Sequence, residues 1–423
     1  MTPMKSDRTL MKQSNQQLVL QLIQGRGPIS RKEIAQLTGL SPAAVSGITA
    51  ELIERGLVQE VGEAETEGRA GRRAVLLQLN ARAGYVVGVK FSIRAIDAVL
   101  TDLDANVLYA VSLPFAFAER ARQSAANTVP DEVVAVTVQT IERLLAEAAI
   151  DPAKLVGIGV AINGIVDAEA GISRFAPHFG WRDAPLAAPL AARFNIPVYL
   201  ENDARALAIA EQWFGVGRDI DTFLVVAVGY GIGGGFVVNG KLHRGALGGA
   251  GEFGHLPLLP GGPICSCGKP GCLEALAAEP AIIRQAQALV QSGAGGMLGQ
   301  LPALTPEQIA QAAASGDETA RRVLSEAGAW LGIGLAGLVN VLNPKLIVIT
   351  GEAVHWGHWY FAEMEAQLRA RAFDGLADVV QIVHEPGGND LWARGAACVV
   401  LGELFGATPR TEAEAIRISF PLA

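Results

Sequence analysis

At 423 residues, half of them hydrophobic and only 18% charged, the chain is too long for one simple core and too apolar to be intrinsically disordered, which points to two to four domains. No uninterrupted apolar run reaches the ~18 residues of a membrane span, and the opening MTPMKSDRTLMKQSNQQ lacks a signal-peptide core, so no membrane partner and a cytoplasmic location are expected. Residues 1–80 carry ten Lys+Arg against eight Asp+Glu, a net of +2, while the remaining residues carry 24 against 34, a net of −10; a mildly basic head on an acidic body permits a nucleic-acid surface without establishing one.

Residues 16–24, QQLVLQLIQ, have helical apolar spacing and stop at the Gly-Arg-Gly-Pro punctuation around Pro28. Ser30 with Glu33 is a capping-box pair opening a second helix, SRKEIAQL, which ends at Thr38-Gly39-Leu40. Ser41, with Pro42 in the first helical position, opens a third, SPAAVSGITAELIERG, whose Val45, Ile48, Leu52 and Ile53 share one side and which Gly56 closes. Two short helices joined by a tight glycine turn are a helix-turn-helix. Residues 57–61 and 74–79 read as strands around a charged, glycine-rich wing that carries Arg69, Arg72 and Arg73, placed for phosphates or a minor groove.

The expected outer face of the third helix is Ser41, Ala43, Ala44, Ser46, Gly47 and Thr49. These residues offer methyl contacts and weak hydrogen bonds but no bidentate base contact, so Arg31, Lys32 and the wing should supply much of the affinity for a double-stranded DNA operator. A three-helix protein-interaction module with solvated arginines is the competing reading. One short helix reads few bases, so a homodimer or homotetramer on repeated half-sites is expected.

From Gly84 the texture changes. Residues 85–93, 95–103 and 106–115 are successive strand candidates, followed by a helix over 131–148, buried strands at 155–162 and 197–202, and a helix over 204–214. A strand at 223–228, a glycine loop from Val228 to Leu242, a long helix over 326–342 and the strand KLIVITG complete the pattern. A meander, a helix and then alternating β and α, appearing twice, predict two related α/β lobes across a cleft. Their expected bounds are 81–200 and 201–423, behind a head at 1–80, with the C-terminal helix returning onto the first lobe.

Between Gly251 and Glu274, His255, Cys265, Cys267 and Cys272 form an H-x9-C-x-C-x4-C array in a stretch too rich in Gly and Pro for a helix interior. Imidazole and thiolate are donors that Zn2+ prefers, and a Cys3His set fills a tetrahedral shell. The expected cofactor is therefore a structural zinc ion, and with no open position a zinc hydrolase is excluded. Cysteines that merely pack as small hydrophobes are the competing reading, and Cys398 in GAACVVLGELF is read that way. Reduced thiols agree with the cytoplasm. His355 and His358, in HWGHWY, are read as packing or exposed residues and not as a second metal site.

Residues 84–405 resemble the ROK family (repressors, open reading frames and sugar kinases), whose fold is actin-like and ribonuclease-H-like. The likeness is carried by GVAINGIVDAEAGISRFAPHFGW, ENDARALAIAEQWFG, VGYGIGGGFVVNGKLHRGALGGAGEFGHLPL, the cysteine array with CLE, and NPKLIVITGEAV. The head looks like the winged helix-turn-helix of the family's regulator branch, which holds the xylose and N-acetylglucosamine repressors. The resemblance implies a sugar site of Asn202, Asp203, Glu252, His255 and Glu274. In it Asp203 stands where kinases keep the base for a sugar hydroxyl, and His255 binds zinc through one ring nitrogen and faces sugar with the other. Fixed carboxylate and amide acceptors also suit a polyhydroxylated ligand on chemical grounds.

The chain departs from the family's kinases at both phosphate loops. The DxGxT register reads Lys90-Phe91-Ser92-Ile93-Arg94, and the usual GTGIGGG reads Gly229 to Gly235 with Tyr230 in place of Thr. The acidic residue associated with Mg2+ is gone, and bulky side chains stand where phosphate oxygens approach the backbone. Asn163 and His178 also differ from the family near the sugar pocket. The expectation is a non-enzymatic, sugar-responsive DNA-binding regulator, a repressor of carbohydrate genes, with Asp203 a vestigial base and no catalytic residue. The alternative is an ATP-dependent sugar kinase with an appended DNA-binding domain. The carboxylate-rich site favours an unphosphorylated monosaccharide effector, xylose or glucose, with Arg174 the nearest basic residue in sequence.

Overall fold

Short-range signals build the head. Helix α1 spans Met4–Arg26, strand β1 Ile29–Ser30, α2 Arg31–Thr38, α3 Pro42–Glu54, β2 Val58–Glu63 and β3 Val75–Leu79, the strands pairing antiparallel in the order β1-β3-β2. The computed structural model describes residues 4–63, 73–92, 94–115, 131–177, 179–387 and 390–406; Arg69, Arg72, Ile93 and His178 lie outside the described residues. Both arms of the Ser30 capping box form: Ser30 N donates to Glu33 at 2.9 Å and Glu33 N donates back to Ser30 Oγ at 3.3 Å. Gly39 ends α2 at φ 70, and Ser41 Oγ caps α3 through Ala44 N. Helix α1 runs twelve residues further toward the N-terminus than the 16–24 expected from apolar spacing, because its first turns are polar and carry no apolar stripe.

The first lobe starts with β4 (Tyr85–Phe91), β5 (Ala95–Asp102) and β6 (Val107–Pro114) as an antiparallel meander. Helix α4 (Asp131–Ala148) leads to β7 (Leu155–Ile162), which lies parallel to β4. A small sheet of β8 (Ile165–Asp167), β9 (Ile172–Ala176) and β10 (Trp181–Pro185) and helix α5 (Ala187–Phe194) intervene before β11 (Val198–Asn202) pairs parallel with β7. Helix α6 (Asp203–Phe214) then crosses to the second lobe, which repeats the design. There β12 (Phe223–Val228), β13 (Ile232–Val238) and β14 (Lys241–Leu242) form the meander. A helical stretch follows, α7 (Glu274–Ala277), α8 (Glu279–Gln291), α9 (Pro306–Ala314) and α10 (Glu318–Leu342). Then β15 (Leu346–Thr350), α11 (His358–Arg371), β16 (Gln381–His384) and α12 (Leu391–Gly406) close the chain.

The two sheets, β11-β7-β4-β5-β6 and β16-β15-β12-β13-β14, are topological copies, which is the predicted duplication. The expected glycine loop is mostly strand: Gly233, Gly234 and Gly235 pair with Ala227, Val226 and Val225 of β12. Helix α10 is long and apolar enough to cross a membrane, with mean hydropathy 1.3 over its most apolar window. It nonetheless packs along α11 in the core of the second lobe, with Leu331 and Leu335 fully buried.

Helices α6 and α12 pair between the sheets, and α12 lies directly on β4 and β7 of the first lobe. Glycine permits that approach, since a Cβ on Gly88 would stand 1.9 Å from Ala393 O and one on Gly159 1.8 Å from Ala396 O. The far end of α12 meets the head. Gln17 Nε2 donates to Leu404 O at 3.0 Å, and Gln21 Nε2 donates to Phe405 O. Val19 and Ile23 of α1 share one apolar cluster with Cys398, Leu401 and Phe405, so Cys398 is a packed hydrophobe as its context suggested.

Candidate functional site

On the head, Ser41, Ala43, Ser46 and Gly47 are exposed along α3, Ala44 is half-buried, and Lys32 and Arg73 reach solvent. One expectation is corrected. Thr49 is fully buried, because it adjoins Ile48 and follows Val45 by four residues on the core side, and Ala50 takes the outer position. Arg31 Nε donates to Thr49 Oγ1 at 3.0 Å, and its Nη2 pairs with the exposed Glu60 at 2.9 Å.

In the body, the turn from β11 into α6 and the loop after β14 converge. Asn202 ends β11 and caps α6; its Oδ1 accepts from Arg205 N at 3.2 Å, and its Nδ2 donates to Gly164 O at 3.0 Å. Asp203 Oδ1 accepts from Ala204 N at 2.9 Å. Its Oδ2 is ion-paired with the ammonium of Lys90, at the end of β4. Glu252 lies near enough for the Asp203 and Glu274 charges to act on it, and burial, reinforced by those charges, raises its carboxyl above the usual range. Glu274 is anchored at both oxygens, accepting from Ser266 Oγ at 2.7 Å and from Ile232 N, in the glycine hairpin, at 3.2 Å.

Beneath these carboxylates a network that the sequence did not reveal holds the loops together. Glu201 and Arg205 are both wholly buried and pair at 2.7 Å, and Arg244 reaches the other Glu201 oxygen at 2.7 Å. Arg205 Nη1 also donates to Gly248 O at 2.6 Å and Ala250 O at 3.2 Å, which ties the loop leading into Gly251 and Glu252 to the start of α6. An arginine four residues after a glutamate was the available signal. It resembles any helical ion pair until the chain is folded.

The candidate metal ligands come together as expected, with the donor atoms of His255, Cys265, Cys267 and Cys272 all within 4.8 Å of one another. Cys267 Sγ and Cys272 Sγ are 3.7 Å apart, and His255 Nδ1 is 3.4 Å from Cys265 Sγ. Metal–thiolate bonds of about 2.3 Å give tetrahedral edges of about 3.8 Å, so the spacing fits a four-coordinate ion. As a bare thiol, Cys265 is pushed up to about 12 by burial; a cation is what would relieve that. His255 Nε2 points the other way, 3.7 Å from Glu252. One imidazole thus spans the cluster and the carboxylates. His358 stacks edge-on against Trp359 and belongs to no metal cluster among the described residues.

In the two segments that depart from the kinase pattern in sequence, Ser92 Oγ closes a turn onto Ala95, Arg94 is exposed, and Tyr230 is 52% exposed.

The family model described as ROK matches residues 87–403, and one described as the MarR family matches residues 13–70. The chain is 34% identical over 370 residues to the xylose repressor of Caldicellulosiruptor bescii, covering 87% of this chain and 90% of that protein. It is 35% identical over 374 residues to the DNA-binding transcriptional dual regulator NagC of Escherichia coli, covering 88% and 89%. The crystal structure of a ROK family transcriptional regulator, a homolog of the E. coli MLC protein, superposes with a TM-score of 0.82 at 28% identity, covering 98% of this chain and 99% of that one.

Proposed function

The chain belongs to the ROK family, and from that premise we propose that it is a sugar-responsive DNA-binding regulator, a repressor of carbohydrate genes whose kinase-like body senses a monosaccharide and transfers no phosphate. The observation that carries this reading is the Lys90–Asp203 ion pair. A kinase base must be free to take the proton of the attacking hydroxyl; here its carboxylate is neutralised by the lysine that replaced the metal-associated acid. The same chain carries the winged helix, and its similar relatives are named as repressors or a transcriptional regulator.

Zinc is the ion proposed for the Cys3His cluster, held by His255 Nδ1 and the three thiolates. When bound it supplies a rigid cross-link that fixes the imidazole. His255 then presents Nε2 beside Glu252. Asp203, Glu252, His255 and Glu274 supply the sugar contacts, and Asn202 positions the turn that carries Asp203. An unphosphorylated aldose, xylose or glucose, suits this set, since Arg174, the nearest basic candidate in sequence, is already held by Asp167 at 2.6 Å and Asp183 at 3.0 Å.

The DNA contacts proposed are Ser41, Ala43, Ala44, Ser46 and Ala50 on α3, with Lys32, Arg73 and the wing on phosphates. A homodimer reading paired half-sites in the cytoplasm completes the reading. Helix α12 offers a direct route between the two functions, because it begins beside the sugar site at Trp392 and ends on the head at Leu404 and Phe405.

The test joins two assays. Selection of duplexes from a random pool, followed by footprinting, should give a two-fold symmetric site released by free xylose or glucose. The same preparation with ATP, Mg2+ and those sugars should give no phosphorylated product. Turnover at ordinary enzyme rates, or a single unsymmetrical footprint insensitive to sugar, would overturn the proposal.

A further inference from the structure

We propose that Lys90 is itself an effector-binding residue, forming with Asp203 a donor–acceptor pair that reads one hydroxyl of the sugar; this rests on the sugar reading above and names a contact within it. The ammonium has two partners, the Asp203 carboxylate and the ring of Trp392, whose centroid is 4.9 Å from Nζ. Lys90 is only 9% exposed. A lysine ammonium carries three donors, and burial is costly for any left unmade. One donor goes to Asp203, the aromatic face stabilises the charge without accepting a conventional hydrogen bond, and among the described residues no other acceptor to Nζ is found. Asp203 shows the complementary arrangement: one oxygen accepts from Ala204 N, and the other faces Lys90. The pair therefore retains donor and acceptor capacity at one point of the sugar site.

A hydroxyl satisfies both groups at once, donating to Asp203 and accepting from Lys90. A deoxy position satisfies neither. A phosphate dianion can accept from Lys90, but it has no proton for Asp203 and adds negative charge beside Asp203 and Glu274. The pair thus selects a neutral hydroxyl over its phosphoester. The ion pair with Lys90 also holds the Asp203 carboxylate in place as an acceptor. Trp392 fixes the ammonium and belongs to α12, so the contact is made at the end of the helix that reaches the head.

The experiment is isothermal titration of the full-length chain, as wild type and as Lys90→Met, with D-xylose, D-glucose, their monodeoxy analogues and glucose 6-phosphate. On the wild type, one monodeoxy analogue of whichever aldose binds should lose about 10- to 100-fold in affinity, the range for a hydrogen bond to a charged group. In Lys90→Met the parent sugar should weaken by a similar factor while that analogue hardly changes, so the deoxy penalty collapses. A purely structural Lys90 predicts the opposite, equal weakening of every sugar with the penalty intact, and that result overturns the assignment. Tighter binding of glucose 6-phosphate than of the parent overturns it as well. Should Lys90→Met not fold, the wild-type series decides: no deoxy penalty above about threefold ends the proposal. Wild-type protein that binds none of these sugars defeats the sugar reading itself, and this contact with it, whereas a penalty that survives in Lys90→Met removes the Lys90 contact alone.

Discussion

Replacing Arg205 with Met keeps most of the side-chain volume and deletes the guanidinium that holds the loop leading into Glu252. Three hydrogen bonds disappear, one to Glu201 at 2.7 Å and two to the carbonyls of Gly248 and Ala250 at 2.6 and 3.2 Å. Breaking a buried ion pair from one side costs about 3–5 kcal/mol, because the remaining charge stays buried. Two features pull the value toward the lower end. Glu201 keeps Arg244 and the Asn202 N–H, and the buried Nη2 of Arg205, which has no partner among the described residues, no longer has to be desolvated. The expected loss is about 3 kcal/mol. The companion variant Glu201→Gln/Arg205→Met removes the stranded charge, so it should recover at least about 1 kcal/mol relative to the single substitution. Urea unfolding followed by circular dichroism measures both, with the body transition treated separately from the head. A single substitution within about 1 kcal/mol of wild type, or a double variant less stable than the single, would refute the reasoning that Glu201 depends on Arg205 for its burial.

Cys267→Ser should lower bound zinc below one equivalent by metal analysis and lower the melting temperature; it should abolish sugar-dependent operator release as well, because the same imidazole that joins the cluster faces Glu252. Gln17→Ala with Gln21→Ala deletes the two bonds onto the end of α12, worth about 1 kcal/mol each. Hydrogen exchange should rise across residues 13–26 while the body keeps its protection, and operator release should need more sugar. Unchanged exchange in α1 would show that apolar packing alone seats the head.

The head was legible because its signals are local. Ser30 with Glu33 and Ser41 with Pro42 each fix a helix start within four residues, and the structure forms both caps. The cysteine array was legible for the same reason, its four donors lying within eighteen residues. The error arose where one residue of phase decides an environment: Thr49 and Ala50 are neighbours, and only the packing of α3 into the apolar cluster that holds Ile34 settles which of them faces solvent. Arg31 has a partner that its sequence context did not show. Its charge suggested phosphate, and in the folded chain it pairs with Glu60, on a strand beyond the turn. The Arg205 network involves Glu201, Arg244 and carbonyls more than forty residues away, and no spacing rule connects them.

The Lys90–Asp203 pair joins residues 113 apart, and the sequence showed only half of its meaning. Read as a damaged phosphate loop, Lys90 is a loss; placed against Asp203, it is also a gain. An enzyme site needs a base that titrates as the hydroxyl attacks, and it consumes what it binds. A sensor needs that hydroxyl held and left intact, so that occupancy follows concentration. On the proposed reading, Lys90 near the end of β4 meets both requirements, engaging the Asp203 carboxylate and supplying the second half of a hydroxyl contact. Occupancy can move the head only if the sugar prefers one arrangement of the lobes over another. The elements that would register the preference are adjacent: α6 begins at Asp203, α12 begins beside Lys90 at Trp392, the two helices pack together, and α12 ends against α1.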